Sequence, residues 1–187
     1  LFAQALRKKE KKTAATHLNE CSALFSEFSK IASKNPYSWF PSYRNAREIA
    51  EETSNNRMVG FPYTKYLNSV IRVNMASAFI LMSQSKADEL NVLENKRVYV
   101  HGCSILNDIW NVTERPNFYS SPAIKTCVNQ SLDQAEISLS DIKHFDLYSC
   151  FPSAVQIAKK ELSIPEDKKD LTVTGGLPYF GGPGNSY

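Results

Sequence analysis

The sequence predicts an α/β fold, a mixed and mostly parallel sheet covered by helices, with a helical segment at the amino-terminal end. Three observations carry this. Apolar runs of strand length alternate with helical periodicities from residue 76 onward. Prolines and small polar residues stand where helices should start. Composition also shifts near residue 57, from a Lys- and Glu-rich, helix-like stretch to that alternating pattern. Residues 1–56 are therefore read as a helical segment and 57–187 as the main domain, in a chain of 187 residues that is long enough to bury its own core.

In the first segment, Leu18, Cys21, Phe25, Phe28 and Ala32 recur at spacings of three and four. They form one apolar face of a helix beginning near Thr16 and ended by Asn35-Pro36. The basic group Arg7, Lys8, Lys9, Lys11 and Lys12 is interrupted by Glu10 and reads as a solvated helix face. Tyr37, Trp39, Phe40 and Tyr43 make an aromatic loop. Asn45 with Glu48 is a capping box for a short helix through Glu52, left by the turn Thr53 to Asn56.

The run Ala76 to Ser83 reads as a buried strand. Ser85, with Asp88 three residues on, is the expected N-cap of a helix to Leu90 that Asn91 closes in the left-handed conformation. Arg97 to Cys103 is the second strand, and residues 104–120 form a long surface loop. Ser121-Pro122 opens a helix with Ala123, Ile124, Cys127, Val128, Leu132 and Ala135 inward. His144 to Tyr148 is a third strand, and Pro152 opens a helix facing Ala154, Val155, Ile157, Ala158 and Leu162 inward. Leu171 to Thr174 is a last strand running into glycines. Such an order implies right-handed crossovers, with ligands beyond the carboxyl ends of the strands.

Composition excludes several classes. The formal charge of +3 and pI of about 8.6 fall short of a dedicated nucleic-acid domain, so no nucleic-acid partner is expected. The longest apolar run, Ala78 to Met82, is strand-sized, so no membrane span is expected. The first residue is Leu1 and no leader pattern is visible, which reads as a portion of a longer protein. Cys21, Cys103, Cys127 and Cys150 show no CxxC pairing and no His at zinc-ligand spacing. Neither a disulfide framework nor a metal site is expected, and a cytoplasmic location follows.

Two segments fall at strand ends. Gly175 to Gly184 holds five glycines in ten residues but lacks the P-loop and dinucleotide patterns, so its use is close approach of backbone to backbone or ligand. Tyr148-Ser149-Cys150-Phe151-Pro152 places Cys150 between a strand and a helix, where free N–H groups stabilise a thiolate or an oxyanion. The alternative is a packing cysteine, and Cys21 and Cys127 are read as core. His101 is either cleft-facing or structural, and His144 has no expected catalytic role.

At these segments the chain resembles the carboxyl-terminal portion of thiolase-superfamily proteins, in the acetyl-CoA acetyltransferase-like and sterol-carrier-protein-thiolase-like branch. The resemblance rests on Arg57-Met58-Val59-Gly60-Phe61-Pro62-Tyr63-Thr64-Lys65 leading to Asn74-Met75-Ala76-Ser77-Ala78, on Asp146 to Gln156, and on Thr172 to Tyr187, with the Asn35-Pro36 region. It implies a thiolase-like half-domain ending before its last strands, and a helical loop region up to residue 56 beside a coenzyme A pocket. It implies an acyl-CoA acyltransferase with acyl-CoA as substrate and no permanently bound cofactor, a missing amino-terminal half bearing the nucleophilic cysteine, and a homo-oligomer. Where the family carries Gly-His-Pro this chain has Gly181-Gly182-Pro183, and where it carries Asn-Glu-Ala-Phe or His-Asp-Cys-Phe this chain has Tyr148-Ser149-Cys150-Phe151. The implied catalytic positions are Tyr148, Cys150 and Gly182, and those implied for coenzyme A are Lys65, Asn68, Ser69, Gly176 and Pro183. The departures leave open a retro-aldol lyase acting on acyl-CoA with Tyr148 as acid or base, or a non-catalytic acyl-CoA or lipid-binding protein.

Overall fold

The computed structural model describes residues 1–168 and 170–183, so Gly184 and the end of the Thr172 to Tyr187 block lie outside it. Six α-helices and one hairpin, joined in part by four short 3-10 turns, make up the regular structure of the described residues. In order these are α1 (Phe2–Lys9), α2 (Ala14–Ala32), α3 (Ala46–Ala50), β1 (Met58–Gly60), β2 (Tyr63–Thr64), α4 (Gln84–Glu89), α5 (Pro122–Ala135) and α6 (Pro152–Glu161).

Helix α2 is the centre of the molecule. Cys21, Phe25, Phe28 and Ala32, all on the face predicted from spacing, are fully buried. Phe25 stacks on Phe28 at 5.2 Å between ring centroids and meets Tyr179 edge-on at 6.4 Å. Around them lie Ile49, Tyr63, Leu67, Val155, Leu162 and Leu171, so one core draws on residues from both sides of residue 57. The helix starts at Ala14, two residues before Thr16, because Thr13 is its cap: the Thr13 hydroxyl accepts the Thr16 N–H at 3.1 Å.

The capping box at α3 is present as read, with Asn45 and Glu48 exchanging side-chain and backbone bonds. Asn56, which closes the turn after α3, is fully buried. Its Nδ2 donates to the carbonyls of Glu48, Ile49 and Glu51, and its Oδ1 accepts the Tyr66 N–H at 2.9 Å. This one side chain satisfies the loose carbonyls at the end of α3 and ties them to the segment that follows the hairpin.

The predicted sheet is not what the structure contains. The one ladder among the described residues is the antiparallel β1–β2 pair, in which Met58 faces Thr64 and Gly60 faces Tyr63. The runs 76–83, 97–103, 144–148 and 171–174 have no strand ladder, and one backbone bond, Leu147 N–H to Leu171 O at 3.0 Å, links the last two. Continuous apolar runs normally mark strands buried on both faces. Here Phe79, Ile80, Leu81, Val98 and Val100 are more than 70% exposed, so nothing in the described residues covers them. Apolar composition signalled a buried surface, but pairing is a non-local property that the runs themselves do not carry.

Two helix starts also differ. Ser83 rather than Ser85 caps α4, accepting the Lys86 N–H at 3.2 Å, while Asn91 follows in the left-handed conformation as expected. Ser121 does not cap α5 with its own side chain; its hydroxyl donates to Asp108, whose carboxylate also meets the Ala123 N–H. Asp108 thereby fastens the 104–120 loop to the start of α5. No residue of α5 is fully buried, although Ile124 and Val128 pack against the core.

Candidate functional site

The site is assembled around the start of α6. A short strap, residues 69–70, runs between the Tyr148–Phe151 segment and the glycine-rich segment. The Ser69 N–H donates to Cys150 O at 3.1 Å, the Val70 N–H to Leu177 O at 3.2 Å, and the Gly182 N–H returns to Val70 O at 2.9 Å. Ser149, fully buried, adds a latch by accepting the Leu177 N–H at 3.0 Å. The structure thus gathers Ser69, Cys150, Gly176 and Gly182 into one cluster.

Glycine is required in it. A Cβ on Gly182 would stand 2.5 Å from Ser69 Oγ and 2.6 and 2.8 Å from Leu177 side-chain atoms. One on Gly176 would meet Phe28 at 2.5 Å and Ser149 Oγ at 2.7 Å. Pro183 follows at the half-buried edge. Two predicted residues turn elsewhere. Asn68 donates from Nδ2 to Thr64 O at 2.6 Å, and Lys65 is exposed, its N–H bound to Arg57 O. The aromatic loop reaches the same cluster from outside, with Trp39 and Phe40 N–H groups donating to Phe180 and Tyr179 carbonyls.

Tyr148 is half exposed, and its hydroxyl lies close enough to the Cys150 thiol for each to act on the other's ionisation. Burial, the larger influence, raises the Cys150 thiol above its ordinary value, while the Tyr148 hydroxyl and the N–H groups of Phe151 and Cys150 pull the other way. Burial likewise raises Tyr148, and Cys150 adds to it. Near neutrality both groups therefore keep their protons and serve as hydrogen-bond donors rather than as a thiolate with its base. His101 and His144 are exposed on their segments, and His17 lies on α2.

Around His17 is a second group of polar residues that spacing alone does not disclose. Fully buried His17 approaches the Cys21 thiol through Nε2 at 3.6 Å, and its Nδ1 makes no hydrogen bond. Glu10, His17 and Glu20 bring potential ligand atoms within 4.8 Å of one another, but the Lys12 ammonium lies 2.8 Å from Glu10 and 2.5 Å from Glu20, and Lys160 also pairs with Glu10. The acidic charge is already met by lysines. A cleft of about 510 Å³ beside them, lined by Glu10, Lys12, Glu20, Tyr43, Gln156 and Lys160 among others, includes none of the predicted site residues.

This buried group gives a pH prediction. Burial lowers His17, with Lys12 and Arg7 adding and Glu20 opposing; burial pushes the Cys21 thiol up to about 12. Below 6.5 the unfolded chain takes up a proton at His17 that the fold resists, and above 9.0 it releases one at Cys21 that the fold retains. Both changes favour unfolding. Urea midpoints should form a plateau between those values and fall on each side; a midpoint that rises above pH 9.0 would contradict the assignment.

Among solved structures, the chain is similar to a monomeric SCP2-thiolase-like protein type 1 from Mycobacterium smegmatis, with a TM-score of 0.85 and 35% identity. The fold is thiolase-like. The similarity covers 97% of this chain and 40% of that one, so the chain spans about two fifths of its neighbour's length. No protein-family model matches the chain, and no curated protein does. The thiolase-like fold runs through the helical segment as well as the part after residue 57, and no helix among the described residues is long and apolar enough to cross a membrane.

Proposed function

We propose that the chain is a portion of a thiolase-like acyl-CoA acyltransferase of the acetyl-CoA acetyltransferase type. The observation that carries this reading is the match to an SCP2-thiolase-like protein along 97% of the chain. The gathering of Ser69, Cys150, Gly176 and Gly182 at the start of α6 supports it. In this reading the Tyr148 hydroxyl and the Cys150 thiol donate to the thioester oxygen as negative charge develops there. Ser69, Gly176 and Pro183 border the coenzyme A side, with Lys65 and Asn68 on the adjoining turn. The nucleophilic cysteine belongs to the amino-terminal half; its thiolate attacks the thioester carbon, the bond to the coenzyme A sulfur breaks, and the coenzyme leaves as its thiolate, which takes a proton from solvent. The exposed run Phe79 to Leu81 and Val98 to Val100 supplies the apolar surface for that half and for self-association.

A second reading is favoured by one feature, the packing around Gly182, which leaves no space for a proton-accepting side chain. It supports a retro-aldol lyase on acyl-CoA with Tyr148 as acid or base, or an acyl-CoA-binding protein without turnover. Incubation of the full-length parent with acetyl-CoA, followed by mass spectrometry, separates these. An acyl-cysteine adduct supports transfer. Its absence, with retro-aldol cleavage abolished in Tyr148→Phe, transfers the site to the lyase, and binding with no turnover leaves the binding protein.

A further inference from the structure

We propose that Tyr63 is the positioning residue of the Tyr148–Cys150 pair, acting from the hairpin as a cap on α6. The inference deepens the proposed reading of that pair as the working groups of the site. Helix α6 has no cap of its own: Phe151 offers no polar side chain and Pro152 has no N–H. The next donor, the Ser153 N–H, finds its acceptor in the Tyr63 hydroxyl oxygen at 3.2 Å. The Tyr63 ring also stacks on Phe151, 6.1 Å between centroids and 12° from parallel. One side chain of β2 therefore holds both the first residue before α6 and the first free N–H inside it.

The hydroxyl is itself oriented. It lies beside the Cys21 thiol on α2, and that thiol donates to Gln156 Oε1 at 3.8 Å, one turn along α6. With Tyr63 buried to 6% exposure, these contacts join α2, β2 and α6 around it. Its consequence for the site lies in Phe151. Phe151 follows Cys150 directly in the chain and its N–H is one of the groups that ease ionisation of the Cys150 thiol, and the Phe151 ring is what Tyr63 stacks upon. Loosening Tyr63 frees the peptide that carries this donor, and a sulfur losing a donor becomes harder to ionise.

The test follows alkylation of Cys150 by iodoacetamide as a function of pH in the full-length protein, read by peptide mass spectrometry so that other cysteines do not interfere. Tyr63→Phe keeps the ring and removes the hydroxyl. The expected result is an upward shift of the Cys150 midpoint by about half a pH unit, and alkylation about threefold slower at a fixed pH below it. Tyr63→Leu, which removes the stack as well, shifts it further. An unchanged midpoint in Tyr63→Phe overturns the proposal, even where thermal stability falls, because a merely structural tyrosine would lower stability and leave the thiol as it was. Should Tyr63→Phe not fold, Cys21→Ala releases the hydroxyl from its other end, and the same two outcomes apply. The readout uses no acyl-CoA, so it stands or falls separately from the thioester reading.

Discussion

Gly175→Ala should destabilise the protein by about 3 kcal/mol or more, the sum of backbone strain and an overlap that cannot relax cheaply. Gly175 has φ of +110°, a region that residues with a Cβ rarely enter. The added Cβ would also lie 2.6 Å from Ala32 Cα and 2.7 Å from Ala32 N. Those are backbone atoms at the carboxyl end of α2, the helix on which the core is built. The turn is pinned on both sides, by the Gly175 N–H to Thr172 Oγ1 at 3.0 Å and by Asn35 Nδ2 to Thr174 O at 3.0 Å, so it cannot swing clear. A domain with roughly 5–15 kcal/mol in total would lose a large share of it. Urea denaturation should show a lower midpoint with an unchanged slope. A loss below about 1 kcal/mol would mean that α2 and the glycine turn are not in this close contact.

The second large effect concerns the position where thiolases carry histidine in the resemblance. Gly182→His should cost about 3 kcal/mol and should not raise acyl transfer above that of the full-length parent. Gly182 is buried, and its first added carbon would already meet Ser69 Oγ at 2.5 Å and Leu177 Cβ at 2.8 Å. An imidazole would have to displace the 69–70 strap, breaking the bonds from Ser69 to Cys150 O and from Gly182 to Val70 O. Overpacking of a filled site usually costs 1–3 kcal/mol, and the lost bonds add to it. A stable Gly182→His variant that transfers acyl groups faster than the parent would show instead that the strap yields readily and that the site retains a histidine-shaped space.

How much of this was legible in the sequence depends on how local each feature is. The buried face of α2, the Asn45–Glu48 capping box and the proline starts of α5 and α6 follow from spacing and from single residue types. The clustering of Cys150 with Gly176 and Gly182 was approached through the two motif segments, and the structure supplies the element that joins them, the strap at Ser69–Val70. No periodicity marks a strap. Ser149 was in view only as a neighbour of Cys150, although its buried hydroxyl holds the glycine segment. Asn56 read as a turn residue, and its three carbonyl partners become visible only once α3 is placed beside the hairpin. The parallel sheet was the main error. Apolar runs report that a surface is meant to be covered, whereas the identity of the covering strand resides elsewhere in the fold.

The proposed function requires that the cluster at the start of α6 take an acyl-CoA thioester, and direct calorimetric titration of the full-length parent with acetyl-CoA and a longer acyl-CoA tests that most directly. Saturable binding of at least one of the two is expected, weakened in Tyr148→Phe, which removes the hydroxyl that acts on the Cys150 thiol. No heat and no saturation with either ligand, from a protein shown to be folded, would contradict it.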